Sequence, residues 1–322
     1  MAVRLQARAY ALGAVLLWST VATAFELALD RLAPEQLVTL ASLASTLVLL
    51  TVVLVTGRAR GLMRLSLRDL GGAAFLGLLS PCLYYLVLFE AYARLPAQEA
   101  QPLNYTWVVT LAVLSAVLRK RRLGARGLVA LVVCWVGVLV IATRGAVLGL
   151  RISDPVGAGL ALASAVIWAV YWIFATGEQG DPVIRLLLGF VLGTAWSAVP
   201  LFLGSGIRGI DGAGILAASY VGTFEMGLTF LLWQKAQRLA RSTAEIGTLV
   251  FLTPFLSLVF IHFVAGEEIR RSTLIGLSLI VAGILIERSG QGSGEPVSPG
   301  AGASGSAASI PVTGRAAGRR RS

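Results

Sequence analysis

The sequence predicts an all-α polytopic membrane protein, with ten transmembrane helices arranged as two inverted five-helix repeats. Three observations predict it. First, 57% of the 322 residues are hydrophobic and only 13% are charged, with a mean hydropathy of +0.81. Soluble domains carry about 25% charged residues, and a 33.8 kDa globule has too little interior to hide this much apolar side chain. Second, the apolar residues fall into runs of membrane-crossing length. Third, the two halves of the chain match each other. The composition excludes a soluble enzyme, a secreted disulfide scaffold and a free nucleic-acid-binding domain.

The runs lie at 9–29, 35–56, 70–93, 98–118, 125–143, 155–176, 182–203, 212–234, 243–264 and 272–288. Each is near the 20 residues a helix needs to cross about 30 Å of hydrocarbon. They are too long, and lack the alternation, for barrel strands. The first follows Arg4 and Arg8 and contains Ala22-Thr23-Ala24, which resembles a signal peptide; the internal symmetry needs it as a retained helix. The third starts with Gly71-Gly72, a helix start and not a phosphate loop. Glu99 opens the fourth, and Pro102 is positioned to kink it. Cys82 and Cys134 lie inside the third and fifth runs and read as small hydrophobes, not as a disulfide or zinc pair. The seventh contains Gly189-x-x-x-Gly193, which permits close packing within the chain or between two copies. Ser242-x-x-Glu245 opens the ninth as a capping box. His262, the only histidine, falls near the outer end of that run.

The net charge of +11 does not indicate a nucleic-acid partner, because the basic residues sit in short clusters between the apolar runs. With the N-terminus in the cytoplasm, nineteen basic residues fall on the cytoplasmic side, including Arg119-Lys120-Arg121-Arg122, and seven fall outside. The positive-inside rule then places both termini in the cytoplasm and requires an even span count. The segment with Glu178 and Asp181 runs against this trend. The Arg and Ala bias fits a GC-rich bacterial genome, hence a bacterial cytoplasmic (inner) membrane. Residues 290–322, rich in Gly, Ser, Ala and Pro, read as a disordered cytoplasmic tail. The tail's Arg319-Arg320-Arg321 would either touch anionic lipid or stay solvated.

The halves match in order. Gly137-Val138-Leu139-Val140-Ile141 pairs with Gly283-Ile284-Leu285-Ile286 at an offset of 146. Gly77, Ser80 and Tyr84 pair with Gly222, Glu225 and Thr229 at 145. Trp18 pairs with Trp168 at 150. This divides the chain into repeats at 9–146 and 155–289. Five spans is an odd number, so the second repeat inserts inverted, an arrangement typical of transporters with a midplane site.

Two such repeats, with Leu17-Trp18-Ser19-Thr20 in span one, Ala100-Gln101-Pro102-Leu103-Asn104-Tyr105-Thr106-Trp107 in span four and Thr253-Pro254-Phe255 in span nine, resemble the EamA type of the drug/metabolite transporter superfamily. The Asn-Tyr-x-Trp stretch is similar to one in that superfamily's aromatic amino-acid exporters, although Val108 stands where those carry Pro. The resemblance implies a secondary carrier of small metabolites, amino-acid export being the favoured case. It also implies that spans one, three, four, six, eight and nine line a cavity.

Within the spans, an ionisable group is a functional candidate by default, since a charge at the bilayer centre costs about 2.5 kcal/mol or more. Glu225, in mid-span eight, is the first candidate, either holding a substrate ammonium or exchanging a proton. A regular helix would set Gly222, Glu225, Thr229 and Trp233 on one face. Glu26 and Glu90 rank second, near the outer membrane face. Trp18, Tyr84, Tyr85, Asn104, Tyr105, Trp107, Trp168, Tyr171 and Trp172 form an aromatic set suited to caging an amphipathic or cationic solute, with Ser80 on the face of Tyr84 and Asn104 on that of Trp107. The substrate-binding set is therefore Glu225, Thr229, Tyr84, Ser80, Asn104, Trp107, Trp168 and Trp18. No catalytic residue, metal or cofactor is expected. There is no Walker A segment, and one histidine with two isolated cysteines makes an intramembrane enzyme the remote alternative. A lipid or polyprenyl-carrier flippase is the nearer one. The expected partners are the small-molecule substrate and membrane lipids, with the chain a monomer or homodimer.

Overall fold

A computed structural model describes residues 2–118, 124–149, 152–175, 180–240 and 249–290. Among these residues every regular element is helical. We number them α1 (Ala2–Leu29), α2 (Pro34–Val55), α3 (Leu67–Tyr92), α4 (Ala97–Leu118), α5 (Ala125–Ala142), α6 (Pro155–Ala175), α7 (Pro182–Leu203), α8 (Gly212–Leu239), α9 (Leu249–Ala265) and α10 (Arg271–Gly290). The first eight are long and apolar enough to cross a membrane, and α9 is a shorter apolar helix. The limits of spans two to seven and ten are met within a few residues; the expected start of span nine lies outside the described residues, α1 begins at Ala2, before the expected 9, and α8 runs on past 234 to Leu239. There Lys235 holds its ammonium 4.6 Å from the centre of the Tyr10 ring, a cation–π contact that lets the last turn carry charge. The Arg119–Arg122 cluster, Glu178, the Ser242–Glu245 box and the tail lie outside the described residues.

Polar side chains start the helices, as unsatisfied amides require. Ser66 accepts from the Asp69 amide while Asp69 returns a bond to the Ser66 amide at 2.8 Å. Asp154, Asp181 and Asp211 accept from amides at the starts of α6, α7 and α8. Asp181 also takes both its oxygens to Arg58 at 2.9 and 2.8 Å. The acidic residue that disturbed the charge trend is thus the partner of a basic one.

Four helices are interrupted. α3 widens into a π-helical turn over Leu78–Leu83, with Ser80 extended and a cis Ser80-Pro81 bond; Pro81 has no amide to donate. α8 widens over Val221–Leu228. α4 breaks at Tyr105–Thr106, between Pro102 and Val108. α9 passes from a tight turn over Leu249–Leu252 into an α-helix at Thr253–Phe260, with Pro254 in its first turn.

The packing is reciprocal. α1 lies on α8 and α9, while α6 lies on α3 and α4; α2 meets α8, and α7 meets α3; α2 pairs with α7, and α5 with α10. Glycines make the close approaches. A side chain at Gly77 would strike the backbone of Gly189 and Gly193 on α7, and one at Gly222 would strike the Ala41 carbonyl on α2. In the α5–α10 pair Gly137 opposes Gly276, and Ala130 opposes Gly283. The Cys134 thiol donates to the Ile280 carbonyl between them at 3.4 Å. Gly189-x-x-x-Gly193 is therefore used inside the chain, and both cysteines are buried and free.

Candidate functional site

The interruptions in α3, α4 and α8 bring polar side chains into the middle of the bundle. Glu225 sits at the midpoint of α8, inside its widened turn. The Tyr85 hydroxyl donates to Glu225 Oε1 at 3.2 Å. Oε2 is buried and has no hydrogen-bond partner, and no Lys or Arg among the described residues pairs with the carboxyl. The adjacent Tyr84 hydroxyl donates to Asn104 Oδ1 at 3.3 Å, and Asn104 Nδ2 donates to Ser164 Oγ on α6 at 2.8 Å. Ser164 in turn donates to the Ala161 carbonyl. This chain fixes the Tyr84 ring, which stacks on Trp168 with centroids 4.4 Å apart and 24° between planes.

Trp168 extends the platform. Tyr171 stacks on it at 5.1 Å, and Trp172 and Phe230 meet it edge-on. Phe230 links the platform to Trp18 on α1, at 6.1 Å, and Trp18 leans on Trp233. Tyr84 and Tyr85 touch at 4.7 Å. The result is a contiguous aromatic cluster from α1, α3, α6 and α8 that adjoins one carboxyl and one amide.

Of the residues expected from sequence, Glu225, Tyr84, Asn104 and Trp168 come together directly, and Trp18 joins through Phe230. Thr229 turns its hydroxyl onto the Phe224 carbonyl, closing the widened turn beside Glu225. Ser80 is buried at the break in α3. Trp107 is buried in the apolar core beyond the α4 break. The expected common face of Gly222, Glu225, Thr229 and Trp233 does not form. A π-helical turn has more residues per turn than an α-helix, so Gly222 points at α2, Glu225 meets Tyr85 on α3, and Trp233 packs with Trp18 on α1. Sequence reasoning placed Tyr85 in the aromatic set but not in the substrate-binding set, and did not single out Ser164 or Phe230. The signal for Tyr85 was its adjacency to Tyr84 next to Pro81; none existed for Ser164, which is one of many hydroxyls.

A second polar cluster lies at the end of the bundle that holds residues 93–96, 143–149, 152–154 and 266–270. Glu99, with only 1% of its surface exposed, receives Arg144 Nε at 2.9 Å and the Arg270 guanidinium on the same oxygen. Gln98 accepts from the Arg270 amide at 2.9 Å and the Thr273 hydroxyl at 3.1 Å. Glu267 accepts from the Ala97 amide at 2.7 Å. His262 is exposed at the end of α9, with Nδ1 2.9 Å from the Glu267 carbonyl oxygen. A cavity of about 330 Å³ opens here beside Gln98, Glu267, Glu268 and Arg270.

A bundle of apolar, interrupted helices with polar side chains buried at its centre defines a polytopic membrane protein. Comparison with known proteins gives the class. The sequence pattern of the EamA-like transporter family matches residues 6–143 and again 155–287. The chain belongs to that family, and so to the membrane transporters of the drug/metabolite superfamily. It is 28% identical over 208 residues to an uncharacterized protein of Pseudomonas aeruginosa, a match covering 62% of this chain and 70% of that one. A solved crystal structure superposes with a TM-score of 0.60 at 24% identity, over 88% of this chain and 98% of the other. That likeness concerns the fold alone.

Proposed function

We propose that the chain is a secondary exporter of small metabolites bearing a cationic amine, amino acids first among them. It would work by alternating access between two inverted five-helix repeats at 9–146 and 155–289. The observation that carries this reading is the buried Glu225 oxygen without a partner, set beside an aromatic cluster drawn from both halves. A carboxyl in an apolar interior needs a proton or a cation, and a substrate ammonium fits a site that also offers aromatic faces. Asn104 and Tyr84 would orient the rest of the solute, with Trp168 and Trp18 as walls. Thr229 and Ser80 hold the two breaks, and Trp107 supports α4 behind the site.

The repeat reading draws on the reciprocal packing. The breaks in α3 and α8, and those in α4 and α9, fall at like places in the two halves. Ala130 and Gly276, Cys134 and Ile280, and Gly137 and Gly283 are each 146 residues apart in sequence, and across the α5–α10 contact Cys134 meets Ile280 while Ala130 meets Gly283 and Gly137 meets Gly276, so the contact is the same read from either helix. Such paired discontinuous helices accompany midplane sites in carriers. On this reading all ten helices span a bacterial inner membrane, the chain works as a monomer or homodimer, and both termini lie in the cytoplasm with residues 290–322 as a tail. The flippase alternative would need a groove with basic residues open to lipid. The lateral cavity of about 200 Å³ between α4, α5 and α6 is lined instead by Val109, Leu131, Cys134 and Val166.

The test is a proteoliposome screen with radiolabelled amino acids and amines, with and without a pH gradient. The expected result is saturable movement of at least one amine-bearing solute, with apparent affinity lowered roughly 10- to 100-fold in Glu225→Gln. No movement across the panel removes the amine class, and unimpaired transport by Glu225→Gln across pH 5 to 8 removes the site.

A further inference from the structure

Between Glu225 and the Glu99 cluster the bundle is closed by two layers. The inner layer is aromatic. Phe25 of α1 meets Tyr85, Phe89 and Tyr92 of α3, with ring centres 6.4, 4.8 and 5.4 Å apart. The three α3 rings follow at steps of four and three in regular helix, and so share a face. All four rings are buried. Tyr85 is the donor to Glu225, and Tyr92, two turns further on, stands about 10 Å nearer the 93–96 end. Tyr92 lies within electrostatic reach of Glu225 on one side and of Glu26 and Glu267 on the other.

The outer layer is polar and joins the two halves of the chain. The α4 helix starts after Pro96 with no capping side chain of its own. Its cap comes from the second half. Glu267 accepts from the Ala97 and Gln98 amides at 2.7 and 3.3 Å, where the helix dipole favours a carboxylate. Gln98 Nε2 donates to the Glu268 carbonyl at 2.9 Å, and Glu99 holds the Arg270 guanidinium. The Glu26 carboxyl, next in sequence to Phe25, meets that of Glu267. The 267–270 segment is thus tied to the start of α4 and to the end of α1.

The contacts between the halves differ in what parting them would expose. Gly77 against Gly193, and Gly137 against Gly276, set backbone on backbone within the spans, and parting them would leave bare helix facing lipid. The contacts of 267–270 are polar, and Arg144 and Arg270 are part-exposed. The cavity of about 330 Å³ beside Gln98, Glu267 and Arg270 has room for the water that would replace them. This end can open while the glycine contacts hold.

We infer that this end of the bundle is a gate, shut in this structure, with Phe25, Tyr85, Phe89 and Tyr92 as its plug and the 267–270 segment as its latch. Opening it connects Glu225 to the membrane face on which the latch lies. Its role rests on the carrier reading above, but its opening is measured without substrate. The test is labelling of a reporter thiol, Asn104→Cys, in the full chain carrying Cys82→Ala and Cys134→Ala, in oriented membrane vesicles. A charged, membrane-impermeant methanethiosulfonate is added to the outer face, where the proposed orientation puts the latch. The expected result is slow labelling, made about 10-fold faster or more by Glu267→Ala with Arg270→Gln, which remove the cap and one ion pair. If that variant does not fold, Glu99→Gln alone should give a smaller rise. Gly137→Ala, which loosens the bundle at a glycine contact, should lower Tm and leave the rate unchanged. Fast labelling with the latch intact, an unchanged rate in the latch variants, or an equal rise in Gly137→Ala overturns the inference. A rise seen only from the inner face supports the gate and reverses the orientation. A latch-dependent rise beside a flat transport screen supports the gate and removes only the carrier.

Discussion

Two acidic residues of this protein lie within apolar surroundings, and their environments are opposite. Glu99 receives two guanidinium groups and sits at a junction where α4 meets the 266–273 segment. Glu225 receives one phenol hydroxyl and leaves an oxygen open. A carboxylate neutralised by arginines holds elements together and has nothing left to offer a solute. One left open is incomplete until something binds. The same residue type thus marks a joint at one end of the bundle and an open carboxyl in its middle, and the difference lies in the neighbours.

The sharpest way to break this contrast is Glu225→Gln. Losing a charged contact worth about 1.5–3 kcal/mol should lower substrate affinity roughly 10- to 100-fold, read in proteoliposome uptake, with Tm in detergent unchanged. Gly222→Ala should act through the same turn by packing. Its new methyl meets the Ala41 carbonyl, and overpacking of this kind costs about 1–3 kcal/mol, visible as a lowered Tm. Glu99→Gln should behave as a joint. With Arg144 and Arg270 part-exposed, the loss is smaller than for a fully buried pair, about 1–2 kcal/mol, and appears in thermal melting and not as a lost binding site. Tyr85→Phe removes a neutral donor and should weaken uptake about 3- to 10-fold without loss of stability; an equal loss of stability would make Tyr85 a packing residue.

The smallest effect concerns Asp211, at the exposed start of α8. The Gly214 amide, assisted by Arg31, holds its carboxyl below the usual carboxylate range. A folded value below the unfolded one of about 3.9 gives a contribution fully present above that pH and lost as pH falls through the folded value. From pH 8 to 5 the unsubstituted protein should therefore melt above Asp211→Asn by a small, constant margin, and the two proteins should converge only in stronger acid.

Much of this was legible beforehand, and particular residues show why. Glu225 stood out because a carboxyl in mid-span is costly wherever it points. Trp18, Tyr84, Asn104 and Trp168 stood out as polar or aromatic residues in the spans of a recognisable family pattern. The partner of Glu225 was not legible. Helical spacing assigned it the company of Gly222, Thr229 and Trp233, and the widened turn over Val221–Leu228 redirected each of them. Tyr85 reaches Glu225 because α3 is itself interrupted at Ser80-Pro81. Glu99 could not be ranked from sequence, since its arginines come from positions 144 and 270.

By itself the sequence determined the membrane class, the approximate limits of the helices and the family, because hydrocarbon thickness and the cost of bare backbone impose them on any chain of this composition. Tertiary structure alone decided which oxygens are paired and which are open. Pairing depends on distances between helices far apart in the chain, and on interruptions that rotate one stretch of helix against the next. Spacing along a single helix carries neither.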